Sequence, residues 1–225
     1  MWRALADWFD DRLASREIKR ALFDRKIPKG VGWLYTLGSA AAFLFSLQFL
    51  TGVLLALNYA ATPEYAYLSV QYVTEKVPMG HFIRGLHMWG ASAMVIIVTL
   101  HMLRVYFMGA YKYPRETTWV VGVVLWLLVL GFGFTGYLLP WDQKGYWATV
   151  VGAKIAEQAP FLGTAIARLL RGGEQIGAVT LTRFYAIHVL ILPALLAIGT
   201  LVHLVMVIRQ GISAPPERKQ QARHE

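Results

Sequence analysis

Four of the six histidines in this 225-residue sequence, His87, His101, His188 and His203, lie inside long apolar runs that carry no charge. Imidazoles in such a setting are expensive unless they have partners. His87 and His101 are 14 residues apart and His188 and His203 are 15 apart. These intervals are about 3.9 and 4.2 helical turns, so each pair projects from nearly one face of its own helix, about 21–22 Å apart along the axis. That distance is too long for one metal centre and suits two stacked sites, each taking one histidine from each of two neighbouring helices. Zinc or copper could use imidazole, but two ligands leave positions unfilled, and no cysteine or carboxylate lies at a matching level. A haem supplies four equatorial nitrogens and needs two axial ligands, and bis-histidine ligation suits electron transfer better than oxygen binding. For any one histidine taken alone, a hydrogen-bonded interior residue is the competing explanation.

Glycines repeat the same interval: Gly38 and Gly52, then Gly122 and Gly136, are each 14 residues apart. Small residues let a backbone approach a flat macrocycle, although close helix packing in a membrane also uses them. Arg84 and Arg104 stand three residues before His87 and three after His101. Each could pair with a haem propionate or simply anchor a helix end at the membrane surface.

Elements long enough to position these residues are plain in the sequence. Four spans, 31–61, 85–103, 117–141 and 184–208, contain no Asp, Glu, Lys or Arg. Each meets the ~18 residues that mark a candidate transmembrane helix. With 56% hydrophobic residues, 16% charged and a mean hydropathy of +0.46, the chain does not read as a soluble domain. No cysteine occurs, which excludes disulfides, thiolate metal sites and covalent c-type haem attachment through this chain. The net charge of +9 flanks the apolar runs, which fits a membrane surface rather than nucleic acid. Of the 22 Lys and Arg residues, 15 fall in residues 1–32, 104–116 and 209–225. The positive-inside rule then puts both termini on the cytoplasmic or stromal face, the n side, and makes spans two and four parallel. His87 meets His188 near the opposite p side, and His101 meets His203 near the n side.

The expected architecture is all-α: a four-transmembrane-helix bundle holding two haems, read as a single membrane domain. Residues 1–30 form an n-side amphipathic segment with Trp2, Leu5, Trp8, Phe9, Leu13 and Ile18 at mostly helical spacing. No apolar signal-peptide core precedes the first span. Residues 142–183, too long for a bare turn, are expected to hold short p-side helices. Residues 209–225 form an n-side tail.

Several motifs together carry a family resemblance over nearly the whole chain. They are Arg84-Gly-Leu-His87, His101-Met-Leu-Arg104, Pro114-Arg-Glu-Thr-Thr-Trp119, Thr135-Gly-Tyr-Leu-Leu-Pro-Trp-Asp-Gln143 and Leu181-Thr-Arg-Phe-Tyr-Ala-Ile-His188. The sequence resembles the cytochrome b family in its short, four-helix b6 form. The resemblance implies a core subunit of a quinol-oxidising bc or b6f-type complex in a bacterial plasma membrane or thylakoid-type membrane. Two noncovalent haems b then relay electrons in a Q cycle, from quinol at the p side to a quinone at the n side. Iron at the p side would be held by His87 and His188, and at the n side by His101 and His203, with Arg84, Arg104, Gly38, Gly52, Gly122 and Gly136 around the cofactors. Gly136, Tyr137, Pro140 and Trp141 would form one wall of the quinol site.

The resemblance also implies partners: a subunit IV-like protein carrying the C-terminal cytochrome b helices, a Rieske iron–sulfur protein, a c-type cytochrome, membrane lipids and a second copy of the complex. The family's Pro-Glu-Trp-Tyr segment is absent here, which assigns the other quinol wall to a separate subunit. Where chloroplast-type relatives place a cysteine for an extra c-type haem, this chain has Thr36, which argues against that haem. Two alternatives stay open at this stage: a di-haem anchor of another oxidoreductase, and a transporter with titrating intramembrane histidines.

Overall fold

A computed structural model describes residues 2–13, 16, 20 and 27–216, and no β-strand occurs among them. The first helix, α1 (Trp2–Leu13), leaves Trp2, Leu5, Trp8, Phe9 and Leu13 exposed. Such a face has no protein to cover it and fits a membrane interface. Ile18, expected on the same face, lies outside the described residues.

A short 3₁₀ turn, Trp33–Thr36, leads into α2 (Leu37–Ala56). Next come α3 (Ala66–Glu75), α4 (Gly80–Phe107), α5 (Glu116–Leu138), α6 (Gln143–Glu157) and α7 (Gly163–Arg171). The last element, α8, runs over Ala178–Gln210. Four helices, α2 with its 3₁₀ turn, α4, α5 and α8, are long and apolar enough to cross a membrane. Large side chains such as Phe43, Trp89, Ile198 and Leu201 point outward from them. Apolar side chains on that scale are stable only where the solvent is itself hydrocarbon.

The helices do not end where the uncharged runs do. The first is shorter than 31–61, because the chain turns at Leu57–Tyr59 and Pro63 follows. The third stops at Leu138, just before Pro140 and a left-handed Trp141 (φ +52°). The second and fourth run past their charged flanks, taking in Arg84, Arg104 and Arg183. In the loop between the first two spans the sequence reading had no helix, and the structure has α3, fastened to α4 by Arg84 Nη1 donating to Thr74 Oγ1 at 3.1 Å.

The main packing is pairwise: α2 lies along α4 and α5 along α8, with α4 and α5 joining the pairs. The fully buried apolar cluster is small, made of Met94, Val98, Val129 and Leu196, with Leu44, Phe45, Trp126 and Phe132 around it. Trp126 Nε1 donates to Thr99 Oγ1 at 3.1 Å, tying α5 to α4 beside this cluster. We call the end of the bundle carrying His87 and His188 the p end and the other the n end, after the expected sidedness.

One backbone feature bears on the histidine spacing. Within α8, Ile187–Ile191 is a π-helical turn, in which the Leu192 N–H reaches back to the Ile187 carbonyl. Pro193 follows and has no N–H to return to the carbonyl four residues earlier, so the wider turn is the accommodating geometry. A π turn absorbs about one extra residue without extra rise. The 15-residue interval from His188 to His203 is therefore not uniform α-helix, and it spans the same phase as the 14-residue interval in α4. Deleting Ile191 should straighten this turn while both histidines of α8 keep their face, with the haem optical spectrum unchanged. Deleting Ile96 from α4, which has no π turn, rotates His87 against His101 by about 100° and should remove one haem. Equal loss from both deletions would show that the π turn does not carry the extra residue.

Candidate functional site

Each of the four intramembrane histidines rests against one of the four spaced glycines. A Cβ built on Gly38 would lie 3.2 Å from the His101 ring, and one on Gly52 would lie 3.2 Å from the His87 ring. The corresponding distances are 3.4 Å for Gly122 to His203 and 2.6 Å for Gly136 to His188. The order of contacts reverses along each helix pair, as antiparallel packing requires, so the glycine register and the histidine register are one pattern. A Cβ at Gly136 would overlap the imidazole, and one at Gly38 or Gly52 would crowd it.

At the p end the His87 and His188 ring centroids are 6.4 Å apart and their planes are inclined by 72°. Two metal–imidazole bonds of about 2.0–2.1 Å each use about 4 Å of such a gap, and half a ring on each side uses the rest. The protonation of the two rings follows from their neighbours. Thr51 Oγ1 lies 2.7 Å from the Leu47 carbonyl and 2.9 Å from His87 Nδ1, and with its proton on the carbonyl it accepts from the ring. Likewise, Thr135 Oγ1 donates to the Gly131 carbonyl at 2.8 Å and accepts from His188 Nδ1 at 3.0 Å. In that arrangement Nδ1 carries the proton on both rings and Nε2 keeps its lone pair, the state a metal ligand requires.

At the n end the His101 ring rests against Gly38 and the His203 ring against Gly122. Among the described residues no side chain bonds buried His203 Nδ1, and buried Arg104 Nε has no hydrogen-bond partner. The Arg104 guanidinium lies 3.5 Å over the Tyr35 ring, one turn from His101. A buried guanidinium N–H without an acceptor is costly, and a carboxylate at this position would satisfy it. No group of three or more His, Asp or Glu residues able to hold a bare metal ion occurs among the described residues. Two imidazoles per level, glycine-lined walls and a spare arginine donor fit a haem better than zinc or copper. Arg84, by contrast, spends one nitrogen on Thr74.

The segment Gly136–Trp141 closes the p end of α5. Tyr137 is exposed, whereas Pro140 and Trp141 are half-buried. Tyr59, beyond the end of α2, donates its hydroxyl to the Leu139 carbonyl at 2.6 Å and stacks on Tyr185 with centroids 5.3 Å apart. Burial, with Tyr185 beside it, pushes the Tyr59 hydroxyl above its usual range, so it remains a donor. Asp142 caps α6 by accepting from the Gly145 N–H at 2.8 Å, and the tight approach of Gly145 to the Tyr137 carbonyl folds α6 back over α5. The left-handed backbone at Trp141, a strained state for a residue with a side chain, is held by these contacts.

Sequence reasoning missed Thr51, Thr135 and Tyr59. The two threonines had a readable signal, because each directly precedes one of the p-end glycines. Tyr59 had none, since its partner carbonyl is 80 residues away.

Three comparisons bear on this geometry. The family model described as Cytochrome b/b6/petB matches residues 22–211. Cytochrome b6 of Synechococcus elongatus is 44% identical over 209 residues, covering 93% of this chain and 97% of that protein. Cytochrome b6 of Acaryochloris marina is 44% identical and that of Mastigocladus laminosus 43%, over the same share of this chain. Among solved structures, a chain of a hyperthermophilic respiratory Complex III superposes with a TM-score of 0.85 at 35% identity. The match covers 93% of this chain and 56% of that one, so the present chain spans little more than half of that relative.

The Cβ distances rank four alanine substitutions. Gly136→Ala should displace the His188 ring and be the most damaging, Gly38→Ala and Gly52→Ala intermediate, and Gly122→Ala the mildest. Overpacking of this kind costs about 1–3 kcal/mol. Haem content per chain measures the ranking, and a Gly122→Ala variant worse than Gly136→Ala would overturn the assignment of close contacts.

Proposed function

The chain belongs to the cytochrome b/b6 family, and from that premise we propose that it is the di-haem electron-transfer core of a quinol-oxidising cytochrome bc or b6f-type complex. The carrying observation is the four-fold match of histidine to glycine, with the p-end rings set 6.4 Å apart. His87 and His188 would hold the p-side haem b, and His101 and His203 the n-side one. When bound there, the two haems supply one-electron carriers through which electrons of a p-side quinol reach an n-side quinone in a Q cycle.

The remaining chemistry belongs to the chain. Gly38, Gly52, Gly122 and Gly136 keep the walls free of side chains, and the threonines fix the Nε2 lone pairs at the p end. Arg104 offers its free Nε–H to a propionate, and Arg84 has a second nitrogen for the same task. The apolar cluster around Met94 and Val129 excludes water between the two levels. Tyr137, Pro140 and Trp141 form one wall of the quinol site, held in place by Tyr59 and α6.

The other wall and the acceptor of the first electron come from partners: a subunit IV-like protein, a Rieske iron–sulfur protein and a c-type cytochrome, in a complex that is a homodimer. No cysteine is present to ligate an iron–sulfur cluster. Without partners the two electrons of a quinol cannot take separate routes. The charge movement across the membrane, worth about 2.3 kcal/mol per 100 mV, then stays uncoupled from turnover. Topology with both termini on the n side follows from the basic loops.

A pyridine haemochrome assay on the purified chain should give about two haems b, extractable with acid acetone because their iron is held only by imidazole. Intact helicity with no haem would exclude this reading and favour a transporter. Reconstituted alone, the chain should reduce its haems but not oxidise quinol with a p-side acceptor. Adding the co-purifying subunits should restore turnover, and full activity from the chain alone would show the quinol site to be misplaced.

A further inference from the structure

We propose that the Thr51 and Thr135 hydroxyls are positioning groups that lower the reduction potential of the p-side haem through Nδ1 of His87 and His188; this rests on the di-haem reading above. Both threonines are buried, 4% and 5% exposed, so water cannot replace them. Each hydroxyl spends its proton on a carbonyl of its own helix and turns a lone pair to the imidazole N–H, at 2.9 Å and 3.0 Å.

The n end lacks this device. Leu37 and Val121 precede Gly38 and Gly122 where the p end has threonine, and among the described residues no side-chain hydroxyl bonds His203 Nδ1. Backbone groups of Gln48, Phe132 and Thr118 stand within hydrogen-bonding reach of His87, His188 and His203 respectively, so that contact is common to both ends. What distinguishes the p-end pair is therefore the hydroxyl.

The consequence is electronic. An N–H that donates to an acceptor makes the opposite nitrogen a stronger donor to its metal. A stronger nitrogen donor stabilises iron(III) over iron(II), so the one-electron couple at the p end moves to lower potential. The threonine does not touch the iron, and no proton leaves Nδ1. One electron taken up at the p end then sits higher in energy than one at the n end, which drives transfer toward the n side.

The test uses the haem-loaded complex and redox titration of each haem's optical band. Thr51→Val keeps the shape and removes the acceptor, and Thr51→Ser restores it. Thr51→Val with Thr135→Val should raise the p-side potential by about 59 mV, the equivalent of a tenfold shift in the ratio of oxidised to reduced stability for a one-electron couple. The serine variants should return it, and the n-side potential should stay where it was. If valine releases the p-side haem while serine keeps it, the hydroxyl requirement is still met. Unchanged potentials with both haems bound, or haem loss in valine and serine variants alike, would overturn the proposal while leaving the di-haem reading intact. A wild-type chain that binds no haem b defeats the di-haem reading itself, so the two failures are distinct.

Discussion

The approach of four imidazoles to four glycine backbones is the constraint on which the bundle depends. A Cβ at Gly136 would come closer to its imidazole than side-chain carbons do, one at Gly38 or Gly52 would be tight, and one at Gly122 would make an ordinary contact. Gly38 and Gly52 repeat at the 14-residue interval of His101 and His87, and Gly122 and Gly136 repeat at one residue less than His188 and His203, the difference falling where α8 has its π turn, so both contacts on each helix pair form in a single register. A slip of one residue would rotate a histidine about 100° away from its glycine. The register thus fixes helix pairing, helix direction and the height of both polar levels together.

Between those levels the bundle is closed by apolar packing, and the closing residues lie where the same periodicity puts them. Phe45 is midway between Gly38 and Gly52, Met94 between His87 and His101, and Val129 between Gly122 and Gly136, with Leu196 at the corresponding height of α8. Met94, Val129 and Leu196 are among the few buried apolar residues of the spans. Most apolar side chains of the spans face outward, because a membrane protein gains nothing by hiding Leu from hydrocarbon. The small dry cluster therefore serves the sites more than the fold. It lies between the two histidine levels.

Much of this was legible in the sequence, and what was not has physical reasons. Charge-free length found the four spans, since nothing but hydrocarbon asks for about 20 uncharged residues in a row. The histidine and glycine intervals gave the pairing of levels, because helical phase is arithmetic. Helix ends were less legible: charged residues at a membrane face do not stop a helix, so Arg84, Arg104 and Arg183 lie inside helices. The helix α3 was missed, since it is only ten residues long and buries just Ala66 and Val73, too few positions for a periodic signature. Thr51 and Thr135 had been passed over because a threonine in a membrane helix usually bonds only its own backbone, and these do that as well. Their second contact depends on which ring the neighbouring helix brings, and that is a tertiary fact.

The two histidine helices solve one spacing problem by different means. In α4 the 14-residue interval is uninterrupted, and its phase error over about 3.9 turns is small enough for both rings to meet α2. In α8 the interval is one residue longer and, in a regular helix, would turn one ring off the shared face by about 60°. The π turn at Ile187–Ile191 removes the excess at His188 itself, next to Pro193, whose missing N–H already weakens the regular ladder. Irregular backbone is tolerated at membrane depth only where protein covers it, and here α5 packs against the turn. Phe132 on α5 meets the His188 ring edge to face at 5.3 Å, and Thr135 on the same helix bonds its Nδ1. The least regular turn in the spanning helices is thus also where His188 is held from three directions, by its glycine, its threonine and Phe132. A ring so restrained keeps its lone pair aimed at one point, which is what a shared ligand between two helices requires.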